Sequence, residues 1–475
     1  MSRTKVTVTA ILAAALALRL GYFFLIPDDV FLAHVNQSDS YAYFFKPAQH
    51  LLEHGELPDR MVHPPLYPFF IAAFIRLSGD TLLGLQVVQF LQISLSVLAC
   101  FLIYKLTRNI LDEFSGKLAA FFFAIEPSFI LFSNLILVDM LMILLLVPGL
   151  LLILLYLNRE SNALPLLGAG TVLISASIYL KPMALYLPFF LLATGLLLIG
   201  KRKYRSKAFP VMVCSVFIVL AAQPWFLRNF AKYGKYEFGS IGNIMLLHYS
   251  LKVETTAQCK DPSHFHEGVY SEENGVRVFL QTIFRHPWSF FKGTALQTIY
   301  KMAEPGTSGF LDFLGIENTQ WGTQFKRGPA KDPPEVTDWI RKAGVFDLFR
   351  MWWNSKSSIA IAMAVFYCTF LALLYGVGVW GLWEAVRKKE MNSVTACFAF
   401  LFMFYSLVLV APLAGGMRYR MTFVMLILPF AGRGMAGIFP TRRETPGEQS
   451  RLNTPRLLHV QAICPLLSIL YHKAK

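Results

Sequence analysis

The feature that most limits what this chain can fold into is a recurrence. Runs of about 20 apolar residues, each long enough to cross the ~30 Å hydrocarbon layer of a bilayer, return along its 475 residues. A soluble core would alternate apolar stretches with polar faces. Here 55% of the residues are hydrophobic, only 15% are charged, and the mean hydropathy is +0.50. The chain therefore reads as an all-α polytopic membrane protein, since a helix satisfies its own backbone in lipid. Hydropathy predicts helices near 6–26, 81–104, 116–134, 139–157, 163–180, 183–200, 208–226, 358–385, 393–413 and 419–438, about ten transmembrane helices in all. The first has a short basic lead, Arg3 and Lys5, as a signal peptide would. Arg19 interrupts its apolar run, and its flanks suit an uncleaved anchor, which is the reading adopted.

The formal net charge of +15 raises the question of nucleic acid. The basic residues, however, sit beside apolar runs and not on one amphipathic face, so no nucleic-acid partner is expected and membrane lipids are. Starting from a cytoplasmic N-terminus, the spans put Lys105, Arg108, Arg159, "KRKYRSK" (201–207), "RKK" (387–389) and "TRR" (441–443) on one side, the cytoplasm. The loop 38–74, the turn before Asp139, Lys181, the segment 229–356 and "GGMRYR" (415–420) then share the opposite, extracytoplasmic face. Of six cysteines only Cys259 lies in a long polar loop, so no disulfide framework is indicated.

The organisation expected is an N-terminal transmembrane catalytic module over 1–228, with a first-loop site at 28–80. An extracytoplasmic loop region covers 229–357, C-terminal transmembrane helices 358–440, and a cytoplasmic tail of no assigned role 441–475. The long segment is too polar to span and too long for an idle loop. Within it, residues 286–302 read as an amphipathic helix on the membrane surface.

Chemistry is concentrated in "SDSYAYFFKPAQHLLEHG" (38–55) and "HPPLYPFFIAAF" (63–74). Ser38 or Asp39 suits the N-cap of a helix running to about His54, kinked near Pro47 and ended by Gly55; Asp39 equally suits a general base. The Pro-Pro pair starts a second short helix and fixes its entry. Asp139 adjoins an uninterrupted apolar run, where an unpaired carboxylate costs several kcal/mol; it is a second candidate acid or a helix-start acid favoured by the dipole. Lys181, Arg228, Arg418 and Arg420 fall at outer helix ends. Each suits an interface anchor, and together they suit a phosphate site, to which Arg19 is a further candidate contributor. Tyr41, Tyr43, His63, Tyr67 and Trp225 are candidate substrate contacts. Asp39, Asp139 and His63 could share a divalent cation, but the sequence does not require one and the cofactor is unknown. The pair His264 and His266, with Glu267, has loose spacing for a metal site.

In order and spacing, these motifs, with "EPSFILFSNLILVDM", "YLKPMALYLPF", "QPWFLRNFAKYG" and "GGMRYRMTFVMLILPFAG", resemble the polyprenyl-phosphate-dependent glycosyltransferases of the GT-C fold. The branch is that of the protein O-mannosyltransferases and the lipid A aminoarabinose transferase. The resemblance runs from residue 6 to about 438. It implies an inverting transferase that uses a sugar on a polyprenyl monophosphate and an acceptor protein, lipid or glycan on the extracytoplasmic face of the cell membrane. By position Asp39 matches the family's first-loop catalytic acid, Asp139 its second acid, and Lys181, Arg228 and Arg418 the cations around the donor phosphate. Ser40 stands where a Glu is frequent, and His63 where a Lys is frequent before the Pro-Pro pair. Both departures bear on sugar and acceptor specificity.

Two other classes compete. A transporter or flippase of lipid-linked glycans would carry ionisable residues in the middle of several spans and an inverted repeat; here the charges gather at one surface and no repeat is visible. A polymerase or ligase with a diphosphate-linked donor would suit the same cations.

Overall fold

In the computed structural model the described residues are 3–37, 40–158, 163–240, 246, 250, 275–303, 310–311, 314, 358–391, 393–410 and 417–438. Asp39 lies outside them, as do Ser38, the histidines 264 and 266 with Glu267, and the tail 441–475. Every described regular element is helical. In chain order the α-helices are α1 (Arg3–Leu25), α2 (Asp28–Gln37), α3 (Lys46–His54), α4 (Leu66–Ser78), α5 (Thr81–Ile110) and α6 (Glu113–Ile125). They continue with α7 (Pro127–Asn134), α8 (Asp139–Asn158), α9 (Leu164–Ile178), α10 (Leu187–Ile199), α11 (Arg205–Tyr233), α12 (Gly275–Arg285), α13 (Pro287–Ala303), α14 (Ser358–Arg387), α15 (Ser393–Phe404) and α16 (Met417–Ile438).

Among the described residues six helices are long and apolar enough to cross a membrane: α1, α5, α8, α11, α14 and α16. The run expected at 116–134 is two helices, α6 and α7, bent by 55° at Glu126, because Pro127 cannot continue the ladder and the Glu126 carboxylate caps the new helix by accepting from Phe129 N at 2.9 Å. The stretches 163–180, 183–200 and 393–413 also resolve into shorter pieces. Lys181-Pro182 ends one helix and starts a 3₁₀ turn, Pro182–Tyr186, before α10. Helix α15 passes into a π-helical stretch, Tyr405–Val410.

The first loop folds much as its residues suggest. A π-helical turn, Tyr41–Phe45, leads into α3, with Pro47 in its first turn, where a missing N–H costs nothing. Gly55 stops that helix in the left-handed region at φ 76°. Pro65 opens α4. The stretch 286–302, expected to lie on the membrane surface, forms a helix, α13, with Trp288 and Phe291 exposed.

Close approach through small residues joins the spans, since association within lipid rests on packing and not on the hydrophobic effect. A Cβ on Gly381 would collide with Phe430 O, one on Gly434 with Val377 O, and one on Gly378 with Ile427, so α14 and α16 meet backbone to backbone. Gly432 is pressed in the same way onto Ser115 O of α6. These seams hold α16 in the bundle and so set where its outer end stands.

Candidate active site

Three helical starts come together around Asp139, the first residue of α8. Lys181 is the N-cap of the 3₁₀ turn, and its Nζ donates to Asp139 Oδ1 at 2.6 Å. Arg418, second residue of α16, donates from Nε to Asp139 Oδ2 at 3.1 Å. Asp139 and Lys181 are each 2% exposed and Arg418 16%, so the cluster is withdrawn from water but open on the Arg418 side. Among the described residues one carboxylate faces two cations here, and the N-terminal dipoles of α8 and α16 favour negative charge at the same end. Such a centre attracts an anion.

His63 stands next to this cluster. It is 4% exposed, packs on Tyr43 at 4.9 Å between ring centroids and on Phe44 at 5.2 Å, and its buried Nδ1 has no hydrogen-bond partner. Burial, then the charges of Arg418 and Lys181, push its pKa down to about 3, with Asp139 opposing. His34 on α2 is likewise pushed down to about 3 by burial and then Arg418, and its Nε2 pairs with Ser40 Oγ at 2.8 Å. His34 and His63 therefore both lie within the electrostatic reach of Arg418.

The supports are polar and specific. Leu66 N donates to Tyr179 O at 3.1 Å, tying the Pro-Pro loop to the turn before Lys181. Gly239 packs on the same loop, where a Cβ would lie 2.6 Å from Val62 O. Gln89 and Gln92 of α5 donate to Asn134 O at 2.9 Å and Leu135 O at 2.6 Å, holding the connector that delivers Asp139. Tyr67 donates to Gln92 and is fully buried with its ring edge-on to Phe44, so it lies among these supports.

The other cations named from the sequence lie elsewhere. Arg228 donates to Asp59 O at 2.6 Å and Pro58 O at 2.7 Å and covers the Trp225 ring at 4.8 Å; Trp225 in turn donates to Phe238 O at 2.9 Å. This pair fastens the end of α11 to the first loop. Arg420 turns to α7 and α14, where it donates to Ser128 Oγ at 3.1 Å and Tyr367 OH at 3.0 Å. Arg19 caps the end of α6 through Ala124 O at 3.1 Å and Phe123 O at 3.3 Å, with Ser96 Oγ at 2.8 Å. Tyr41 and Tyr43 are half-buried on the π turn.

About one turn further along the chain from each of Asp139, Lys181 and Arg418 lies a small, part-open, apolar pocket. Met142 and Thr422 on its wall lie three and four residues beyond Asp139 and Arg418 on the same helix faces, and Ala184 lies in the 3₁₀ turn that follows Lys181. Leu146, Leu187, Phe402 and Tyr405 complete it. Among the described residues no group of three or more His, Cys, Asp or Glu gathers to hold a metal, and both Asp139 oxygens face cations.

Sequence reasoning passed over Glu126, Ser128, Tyr367, Gln89, Gln92 and His34. Glu126 carried a signal: an ionisable residue inside an apolar run, directly before a proline.

The described residues form a helical bundle with charged helix starts gathered at one end. Residues 62–227 match the family model described as dolichyl-phosphate-mannose-protein mannosyltransferase. The fold is similar to that of the Archaeoglobus fulgidus oligosaccharyltransferase in complex with Zn and sulfate, at 13% identity and a TM-score of 0.51 over 91% of this chain and 49% of that one. Its apo form gives 13% and 0.52 over 92% and 50%. The same organism's oligosaccharyltransferase AglB, in complex with an inhibitory peptide and a dolichol-phosphate, gives 11% and 0.51 over 95% and 53%. The chain thus spans about half the length of the solved structures it matches. No curated protein matches it in sequence.

Proposed function

We propose that this chain is a membrane glycosyltransferase that moves a sugar from a polyprenyl-phosphate donor to an acceptor hydroxyl, with inversion. The single observation that carries the reading is the buried Asp139–Lys181–Arg418 cluster, with a small apolar pocket lined by residues three to four positions further along the same segments. A polyprenyl-phosphate sugar matches this: a phosphodiester anion joined to a hydrocarbon chain, which becomes a phosphate monoester as the sugar leaves. The match of residues 62–227 to a dolichyl-phosphate-mannose-using family supports the same donor class.

In this reading Asp139 is an orienting acid. Its two oxygens hold Lys181 and Arg418 apart and aimed at the phosphate. Asp39 takes the proton of the acceptor hydroxyl as the oxygen attacks the anomeric carbon; the bond from that carbon to the phosphate oxygen breaks on the opposite face, and Arg418 and Lys181 receive the charge of the departing polyprenyl phosphate. Tyr41, Tyr43 and His63 border the sugar. The first carbons of the carrier enter the pocket. The positive-inside pattern supports a cytoplasmic N-terminus and an extracytoplasmic site in the cell membrane, and the 229–357 region supports acceptor selection by its placement on that face.

The test is transfer of label from radiolabelled polyprenyl-phosphate sugars to endogenous acceptors, in membranes holding wild type, Lys181→Met or Asp39→Asn at matched amounts. Transfer by wild type with loss in both variants is expected. Transfer only from diphosphate-linked donors, or none, overturns the reading.

A further inference from the structure

Arg418 and Arg420 are two residues apart, and at 100° per residue their side chains leave α16 on nearly opposite sides. Arg418 goes to Asp139. Arg420, 1% exposed, goes to a second buried cluster that the chemistry above does not use. There Tyr367 OH of α14 accepts from Arg420 Nη2 at 3.0 Å, donates to Glu126 Oε1, and meets Ser128 Oγ at 2.6 Å. Ser128 Oγ also accepts from Arg420 at 3.1 Å. The other Glu126 oxygen caps α7. The Arg420 guanidinium lies over the Tyr367 ring at 5.4 Å. Glu126 is fully buried, and Ser128 and Tyr367 are 2% exposed.

The two clusters grip the same stretch of chain. Residues 126–139 run from Glu126 through α7 and the connector held by Gln89 and Gln92 to Asp139. Arg420 holds the beginning of that stretch and Arg418 its end. Turning α16 about its axis would pull Arg418 off Asp139 and drag Arg420 out of a site where its charge has no water to return to.

We propose that Glu126, Tyr367 and Arg420 are positioning residues: they lock the rotation of the outer end of α16, so that Arg418 is held against Asp139 and the donor phosphate. The proposal rests on the donor-site reading above for its catalytic consequence and on the geometry alone for the lock itself.

The experiment is a double-mutant cycle with Tyr367→Phe, Arg418→Lys and the double variant, with Glu126→Gln as a second probe that keeps the α7 cap acceptor. Tyr367→Phe removes only the hydroxyl and leaves the ring under Arg420. A lock acting through Arg418 raises the donor KM about tenfold in Tyr367→Phe with kcat changed less than about threefold, and the double variant is no worse than Arg418→Lys alone. KM unchanged in folded Tyr367→Phe and Glu126→Gln, or effects that multiply in the double variant, overturns it. Melting of the same four chains in detergent needs no substrate: a lock gives Tm losses that fail to add, and additive losses overturn it. If wild type transfers no sugar while the melts still couple, the donor reading falls and the lock stands.

Discussion

Lys181 Nζ lies 2.6 Å from Asp139 Oδ1, and both side chains are buried from lipid and water alike. A pair of this kind is costly to form and costlier to break, because removing one partner strands the other charge. Asp139→Ala is expected to lose about 3–5 kcal/mol of stability. The double variant Asp139→Leu/Lys181→Met should recover much of that stability and none of the transfer. Thermal unfolding in detergent, run beside the transfer assay, separates the two outcomes; full stability in Asp139→Ala would contradict the buried pair.

Arg418 and Arg228 make opposite predictions from the same residue type. Arg418→Ala should raise the donor KM by about one to two orders of magnitude, the size of a lost charge-assisted contact of ~1.5–3 kcal/mol. Arg228→Ala should leave donor KM near wild type and instead loosen residues 57–59, which its guanidinium now holds by their carbonyls. Limited proteolysis of that loop and the donor titration read the two effects independently.

Asp39→Asn should reduce kcat by about two orders of magnitude or more while leaving donor KM within about threefold, the signature of a missing general base. Equal rates in variant and wild type would leave Asp39 as a helix cap alone.

Acid should unfold the first loop before it touches the spans. His63 and His34 are held near pKa 3 against an ordinary 6.5, so the folded chain binds fewer protons than the unfolded one below pH 6.5. Their contribution to stability is complete above about pH 6.5 and is lost as pH falls towards 3, at up to ~1.4 kcal/mol per pH unit for each histidine. Melting temperature should therefore drop between pH 7.5 and pH 5, and the slope should flatten in His34→Gln/His63→Gln. An unchanged slope would remove these histidines as the cause.

Filling the pocket should discriminate by the donor's tail. Ala184→Trp is expected to impair transfer from long polyprenyl donors by at least about tenfold, while a sugar phosphate carrying a very short prenyl chain loses much less. Equal impairment of both donors would place the tail elsewhere.

Asp139, Lys181 and Arg418 were legible because ionisable residues beside apolar runs are scarce and each begins a helical element, two of the three marked by the end of an apolar run or a following proline. The α3 stop at Gly55 and the Pro-Pro entry to α4 were legible for similar local reasons. The carbonyl contacts of Arg228 were not, since an arginine at an outer helix end can serve a phosphate or a row of carbonyls with the same sequence around it. Arg418 and Arg420 carried their own warning: two residues apart on a helix, they cannot reach one target, and the structure sends them to different ones. The bend at Glu126 was hidden by hydropathy, which averages over a window wider than the break. The pocket was not readable at all, because its walls come from four separated parts of the chain.

The glycine contacts between α14 and α16 bear on more than packing. With Gly381 and Gly434 pressed against the opposing backbone and Gly378 against the Ile427 side chain, the two helices cannot slide past one another at that level without a steric clash. From Phe430, opposite Gly381, to Arg418 is twelve residues, about 18 Å of helix. That seam is a fulcrum and the outer part of α16 a lever arm, so a rocking of a few degrees there would swing the Arg418 guanidinium by about an ångström towards or away from Asp139. The smallest residues in the bundle, far from any sugar, would then set how firmly the phosphate is grasped and how readily it is let go.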